Sequence, residues 1–133
     1  METLRIIVVD DDRLIGPLLG EVLSGMGHVV CAIEATEAGA VAAAGRLRPD
    51  LIIMDVELGG GSGVRAMREI ARAGSVPHVF ISGAGLSAKL PAAVLRKPFS
   101  EAELLRAMQR ALGAGTALAH AEPRQDRTAP RDP

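Results

Sequence analysis

The feature that most constrains the fold is a short, wholly apolar run at residues 51–54 that ends in a carboxylate, Asp55. An uninterrupted apolar run of this length is typical of a strand buried on both faces, as in a parallel sheet. Four glycines follow within five positions, in the loop 56–63. Ligands of open α/β sheets bind at the carboxyl ends of the strands, so Asp55 is a candidate site residue. On this stretch alone, a polar strand end or a helix cap explains Asp55 equally well.

Apolar runs and helical segments alternate along the rest of the chain. The runs that predict strands cover residues 4–9, 28–33, 51–54, 78–81 and 94–96. Between and after them, apolar residues recur at helical spacing, and candidate caps stand at Asp12, Thr36, Ser62 and Ser100. This alternation predicts an α/β fold, a (βα)5 flavodoxin-like, doubly wound parallel sheet with strand order 2-1-3-4-5. Residues 84–93 have no clear period and predict at most one helical turn, so the fourth helix is expected to be short or missing.

The domain organisation follows from length and from a change in composition. A chain of 133 residues suits one domain, which we assign to residues 1–113, with Gly113 and Gly115 expected to end the last helix. Residues 114–133 are dominated by Ala, Gly, Pro, Arg, Asp and Glu without an apolar period, and this composition predicts a disordered C-terminal tail.

Charge and cysteine usage exclude several classes of function. The net charge is −1, so no global field favours nucleic acid or an anionic membrane as a partner. The single cysteine, Cys31, excludes an intramolecular disulfide and fits a reducing compartment. No apolar run approaches the ~18 residues that span a bilayer, and the first residues lack a signal-peptide layout. We therefore expect a soluble, cytoplasmic protein.

The predicted strand order brings acidic side chains together. Asp10 and Asp11 follow the first strand and are expected beside Asp55, while Ser82 and Lys97 end the two neighbouring strands. Converging carboxylates raise one another's pKa, and a hard cation such as Mg²⁺ relieves their repulsion. A carboxylate such as Asp55 can then act as the nucleophile towards a phosphoryl group and form an aspartyl phosphate. The phosphoryl oxygens require a cation, an ammonium and hydroxyl or amide donors around them.

These residues resemble the receiver domains of two-component response regulators. The segments that carry the resemblance are 7–12, 51–55 with Ser62 and Gly63 downstream, 80–83 and 97–99, and it extends over roughly residues 4–112. The resemblance implies a bacterial phosphorelay protein with Asp55 as the phospho-acceptor. It also implies Mg²⁺ as the cofactor, held by Asp10, Asp11, Asp55 and the backbone carbonyl of Glu57.

Further roles implied by the resemblance concern the phosphoryl group and the partners. Ser82 is the expected switch hydroxyl, Lys97 is expected to pair with the phosphoryl group, and Pro98 is expected to follow a cis peptide bond. The expected donor is a histidine kinase or histidine phosphotransferase. Neither nucleic acid nor membrane is expected as a partner, and the protein is expected to be a monomer or weak dimer.

Three departures from the family pattern limit what is carried over. Val94 occupies a position that usually bears an aromatic side chain, so the family's aromatic rotamer switch is not expected here. Gly59 replaces the usual proline of the loop after Asp55. Only fourteen residues separate Ser82 from Lys97, fewer than the family norm. The family's common signalling and dimer surface, which includes the fourth helix, is therefore not assigned to this chain.

Three functions remain open on these grounds. The first is a phospho-accepting signalling module, with no enzymatic activity beyond self-phosphorylation and slow autodephosphorylation. The second is a receiver-like docking module that works without phosphorylation, which the departures favour. The third is a Mg²⁺-dependent phosphohydrolase with Asp55 as nucleophile, for which the chain offers no clear general acid.

Overall fold

In the described part of the chain, the predicted strands and helices occur in the predicted order, and two additional short strands follow the central strand. The computed structural model describes residues 2–83 and 93–121, the last eight of these by their backbone alone. The elements are β1 (Arg5–Val9), α1 (Ile15–Gly25), β2 (Val29–Glu34), α2 (Glu37–Leu47), β3 (Leu51–Asp55), β4 (Glu57–Leu58), β5 (Gly61–Ser62), α3 (Gly63–Ala71), β6 (His78–Ser82), β7 (Ala93–Arg96) and α4 (Glu101–Ala121).

Five of these strands form one parallel sheet in the order β2-β1-β3-β6-β7. Because β4 and β5 form a separate hairpin, this is the predicted order 2-1-3-4-5, and the flavodoxin-like prediction is confirmed. The short or missing fourth helix was predicted between β6 and β7, at residues that lie outside the described part of the chain. Within the described part, no helix is both long enough and apolar enough to cross a bilayer.

The core consists of two apolar layers, one on each face of the sheet. All five residues of β3 are buried, as the uninterrupted apolar run predicts for a central parallel strand. Successive strand residues point to opposite faces, so Ile53 packs in the layer under α1 and α4, while Ile52 and Met54 pack in the layer under α2 and α3. With only 2% aromatic residues, both layers are built almost entirely from aliphatic side chains and methionine.

The predicted helix caps at Thr36, Ser62 and Ser100 are confirmed, whereas the prediction for Asp12 is wrong, because the N-cap of α1 is Leu14, without a side-chain cap. The Asp12 carboxylate accepts hydrogen bonds from the N–H groups of Leu14 and Ile15 at 2.8 and 3.1 Å, at the start of α1. The hydroxyl of Thr36 caps α2. The predicted capping box closes in both directions at the start of α4. The Ser100 N–H donates to Glu103 Oε1 at 2.8 Å, and the Glu103 N–H donates to Ser100 Oγ at 3.0 Å.

The predicted end of the last helix is wrong. The helix α4 continues through Gly113 and Gly115 to Ala121. Alanines surround the two glycines, and the high helix propensity of alanine offsets the cost of about 1 kcal/mol that each interior glycine carries. The disordered tail stays a prediction for residues 122–133, which lie outside the described part of the chain.

The loop after β3 is more ordered than its glycine content indicates. Strands β4 and β5 pair antiparallel, with Glu57 opposite Ser62 and Leu58 opposite Gly61. Gly60, at the turn, has a φ of 73°, a conformation that favours glycine. We call residues 57–62 the β4–β5 hairpin. It covers the carboxyl end of β3, where the candidate site lies.

Candidate functional site

Strand register brings the predicted site residues to one edge of the sheet. Val9 of β1 lies beside Met54 of β3, so the residues that follow them, Asp10 and Asp55, are neighbours. Ser82 at the end of β6 pairs with Arg96 of β7, and Lys97 comes next in the chain. The backbone N–H of Lys97 donates to the carbonyl of Ser82 at 2.9 Å, which continues the ladder to the site.

Asp10 is buried and incompletely satisfied. Its residue exposure is 3%, and its Oδ1 accepts the N–H of Asp12 at 2.9 Å. Its Oδ2 lies 3.1 Å from Lys97 Nζ, an ion pair whose direction does not form a hydrogen bond. Among the described residues, no group donates a hydrogen bond to this buried oxygen. Because this buried oxygen lacks a hydrogen bond, a bound cation is expected to stabilise it.

Asp55 lies between a backbone donor and an ammonium group. Its Oδ1 accepts the N–H of Glu57 at 3.0 Å, and its Oδ2 accepts from Lys97 Nζ at 3.1 Å. Burial raises the pKa of the Asp55 carboxyl above its ordinary value, and the charge of Asp10 adds to the rise. The hydrogen bonds from Glu57 and Lys97 oppose this rise without cancelling it. The ionised form of Asp55, which a nucleophile requires, is therefore unfavourable unless a cation binds nearby.

Lys97 is shared between the two buried carboxylates. Burial lowers the pKa of its ammonium, but the interactions with Asp10 and Asp55 outweigh burial, so the pKa lies above the ordinary value. The ammonium is thus a fixed positive charge at neutral pH. Among the described residues, one ammonium faces two buried carboxylates and the nearby Asp11, which leaves the site with excess negative charge.

The donor set fits a hard divalent cation. Oxygens of Asp10, Asp11 and Asp55 all lie within 4.8 Å of one another, and Asp11 is exposed at the mouth of the site. These atoms line an open cleft of about 700 Å³, which Lys97 and the β4–β5 hairpin also line. Mg²⁺ prefers oxygen ligands and commonly takes one or two carboxylates together with water and phosphate, which this open arrangement permits.

Gly63 is required for the close packing behind Asp55. Its N–H donates to the carbonyl of Val56 at 2.8 Å, and a Cβ at this position would overlap the backbone carbonyl oxygen of Asp55. The glycine therefore allows α3 to begin directly against the end of β3, where Ser62 caps it.

The remaining predicted residues lie where the sequence places them. Ser82 is buried at the end of β6, and the Lys97–Pro98 peptide bond is cis, which confirms that prediction. Glu57 is the exposed first residue of the β4–β5 hairpin. The switch role of Ser82 and the ligand role of the Glu57 carbonyl stay predictions.

Sequence reasoning did not identify Glu37 and Arg65, which hold the far side of the hairpin. Glu37, the first residue of α2, accepts the N–H of Ser62 and forms an ion pair with Arg65 of α3. These residues are 28 positions apart and belong to no recognisable motif. Only the packing of α2 beside α3 brings them together, so no local signal in the sequence reveals them.

Comparisons with known proteins identify the family of this chain. A family model described as the response regulator receiver domain matches residues 6–109. The chain is 30% identical over 126 residues to the KDP operon transcriptional regulatory protein KdpE of Escherichia coli (strain K12), an alignment that covers 90% of this chain and 56% of KdpE. It is 32% identical over 115 residues to the phyllosphere-induced regulator PhyR of Methylorubrum extorquens, covering 81% of this chain and 43% of PhyR. The chain thus spans about half the length of these two relatives.

Solved structures show the same likeness. The solution structure of the PhyR response regulator REC domain of Erythrobacter litoralis superposes with a TM-score of 0.74 at 27% identity, covering 85% of this chain and 92% of that domain. The matched family model extends from β1 into α4 and includes every predicted site residue. The chain therefore belongs to the receiver domain family of response regulators, the signalling proteins of two-component systems.

Proposed function

We propose that this receiver accepts a phosphoryl group on Asp55 from a phosphohistidine of a histidine kinase or histidine phosphotransferase. The observation that carries the proposal is the position of the Asp55 carboxylate, which shares the Lys97 ammonium with Asp10 at the open cleft. In the transfer, an Asp55 oxygen attacks phosphorus, an acyl phosphate P–O bond forms and the P–N bond to histidine breaks. The departing imidazole takes up a proton.

The cation of the proposal is Mg²⁺, held by Asp10, Asp11, Asp55 and the backbone carbonyl of Glu57. When bound, Mg²⁺ offsets the negative charge of the carboxylates and of the incoming phosphoryl oxygens. The buried Asp10 oxygen that lacks a hydrogen bond and the excess of carboxylates over ammonium groups support this assignment.

Two residues are proposed to stabilise the transferred group. Lys97 already holds its ammonium 3.1 Å from Asp55 Oδ2, so a phosphoryl oxygen attached there would lie within reach of the same charge. Ser82 ends the neighbouring strand and is proposed to donate its hydroxyl to a second phosphoryl oxygen. Phosphorylation would then shift the equilibrium between two arrangements of the surrounding loops, and a partner protein would bind one of them.

The test is phosphorylation by a small-molecule donor. The protein is incubated with acetyl phosphate or phosphoramidate, with and without Mg²⁺, and its intact mass is measured. We expect one phosphoryl adduct that requires Mg²⁺ and is absent in Asp55→Asn. Asp12→Asn is the matched control, because Asp12 lines the same cleft but its carboxylate accepts the N–H groups of Leu14 and Ile15 and forms no ion pair with Lys97. An adduct that persists in Asp55→Asn would refute the assignment.

A docking module that works without phosphorylation is the second candidate function. Val94 supports it, since this half-buried side chain packs in the apolar layer under α2 and α3 and provides no aromatic ring for a rotamer switch. Beryllofluoride, a phosphoryl analogue, separates the two functions. If neither beryllofluoride with Mg²⁺ nor a phosphodonor changes the protein, the docking function is preferred.

A further inference from the structure

Three carboxylates from three different elements hold the backbone of the β4–β5 hairpin. Asp55 at the end of β3 accepts the N–H of Glu57, and Asp11 after β1 accepts the N–H of Gly59. Glu37 of α2 accepts the N–H of Ser62. The first two carboxylates belong to the proposed cation site, whereas the third lies outside it.

The contact of Glu37 with the hairpin is close and charged. Its two carboxylate oxygens accept hydrogen bonds from the Arg65 guanidinium. Arg65 Nε donates to Oε1 at 3.3 Å, and Nη2 donates to Oε2. The pKa of Glu37 is lowered by the Arg65 hydrogen bond and by the Ser62 N–H, so the side chain is ionised at neutral pH. A Cβ on Gly61 would collide with the same carboxylate, which shows how closely Glu37 lies against the hairpin backbone.

We propose that Glu37 is a positioning residue for the cation site and acts through the β4–β5 hairpin. Ser62 is the register partner of Glu57, so the bond from Ser62 to Glu37 restrains the residue whose carbonyl is the proposed cation ligand. The same hairpin presents the Gly59 N–H that orients the Asp11 carboxylate. Glu37 thereby fixes two proposed ligands without touching the cation. This inference rests on the Mg²⁺ site of the proposed function.

The test compares variants that separate position from charge. Glu37→Asp keeps the negative charge but is one methylene too short to reach the Ser62 N–H. Gly61→Ala changes no charge and displaces the Glu37 carboxylate. Glu34→Gln is the matched control, because it removes one negative charge at the end of β2, on the same edge of the sheet. Within the described part of the chain, the Glu34 side chain makes no hydrogen bond to the hairpin.

The measurement is a titration with Mg²⁺ alone, followed through the amide signals of Gly59 and Ser62. Removing a group that directly orients a metal ligand typically weakens affinity about 10–100-fold. Because Glu37 acts through the hairpin, we expect a smaller loss of about 3–10-fold for Glu37→Asp and for Gly61→Ala, and less than about twofold for Glu34→Gln. Amide hydrogen exchange of Glu57, Gly59 and Ser62 in the metal-free protein should accelerate in the first two variants only.

Each outcome decides the inference. Wild-type affinity in both Glu37→Asp and Gly61→Ala would overturn it. An equal loss in Glu34→Gln would also overturn it, because that result would indicate long-range charge alone. If the wild-type protein binds Mg²⁺ and is phosphorylated while these variants match it, only the role of Glu37 is refuted. A wild-type protein that does not bind Mg²⁺ would overturn both this inference and the cation site of the proposed function.

Discussion

Replacing Lys97 with methionine should destabilise the metal-free protein and leave it dependent on Mg²⁺. Lys97 Nζ lies 3.1 Å from an oxygen of Asp10 and of Asp55, and its side chain is 23% exposed. At an effective dielectric constant of about 20, each pair contributes a gross attraction of about 5 kcal/mol. Desolvation offsets much of this, and removing one partner of a buried pair typically costs about 3–5 kcal/mol. Because the ammonium is partly exposed, we expect about 3 kcal/mol.

Urea unfolding in EDTA measures this loss directly, and it corresponds to a fall in Tm of roughly 10 °C for a domain of this size. Two further conditions should reduce the difference in the free energy of unfolding between Lys97→Met and wild type. Saturating Mg²⁺ supplies the missing positive charge, and acidification allows the Asp55 carboxylate, whose pKa burial already raises, to bind a proton. Mg²⁺ should also bind more tightly to Lys97→Met, because no ammonium repels it.

The control is Arg96→Met, which removes the same charge from the preceding, exposed residue of β7 and should change stability by less than about 0.5 kcal/mol. A loss below about 1 kcal/mol in Lys97→Met would refute the reasoning. So would a larger loss that neither Mg²⁺ nor acid reduces, since that result would assign Lys97 to packing instead of charge compensation.

Three further predictions concern the site and its supports. Because the pKa of Asp55 is raised above its ordinary value of 3.8, its contribution to stability is present below that value and is lost as the pH rises through the raised pKa. Urea unfolding in EDTA between pH 4 and 7 should therefore show a free energy of unfolding that falls with rising pH in wild type. This fall should be absent in Asp55→Asn. Gly63→Ala should destabilise by about 3 kcal/mol, since its Cβ overlaps backbone, whereas Gly45→Ala, with open space in α2, should stabilise by about 0.5–1 kcal/mol in thermal unfolding. Ser100→Ala should cost about 1 kcal/mol by the same measurement, because the Glu103 N–H loses its acceptor.

Features set by neighbours in the sequence were predictable from the sequence alone. The capping box at Ser100 needs only residues three positions apart, and the buried strand β3 shows itself as an apolar run. The approach of Asp10 to Asp55 is not local, but it follows once the strand order is inferred, because the register places Val9 beside Met54. The hydrophobic periodicity of the sequence and the strand order inferred from it were therefore enough to predict that Asp10 and Asp55 are neighbours.

Features that depend on packing between distant elements were not predictable in this way. The strands β4 and β5 have two residues each, too few to show a period, so the segment reads as a glycine loop. The ion pair of Glu37 with Arg65 depends on how α2 lies against α3. The end of α4 was missed because Gly113 resembles a stop signal, whereas the surrounding alanines favour continuation.

The charge imbalance at the sheet edge connects the fold to its proposed chemistry. Asp10 and Asp55 are 3% and 6% exposed, and a single ammonium cannot satisfy both together with Asp11. A neutral residue at one of these positions would relieve the repulsion and leave Lys97 paired with the other carboxylate, and would be expected to give a more stable metal-free protein. The apolar layers on both faces of the sheet support the fold despite this local cost. The same excess of negative charge favours the binding of a cation at this edge of the sheet. A bound cation in turn favours a phosphoryl group beside Asp55.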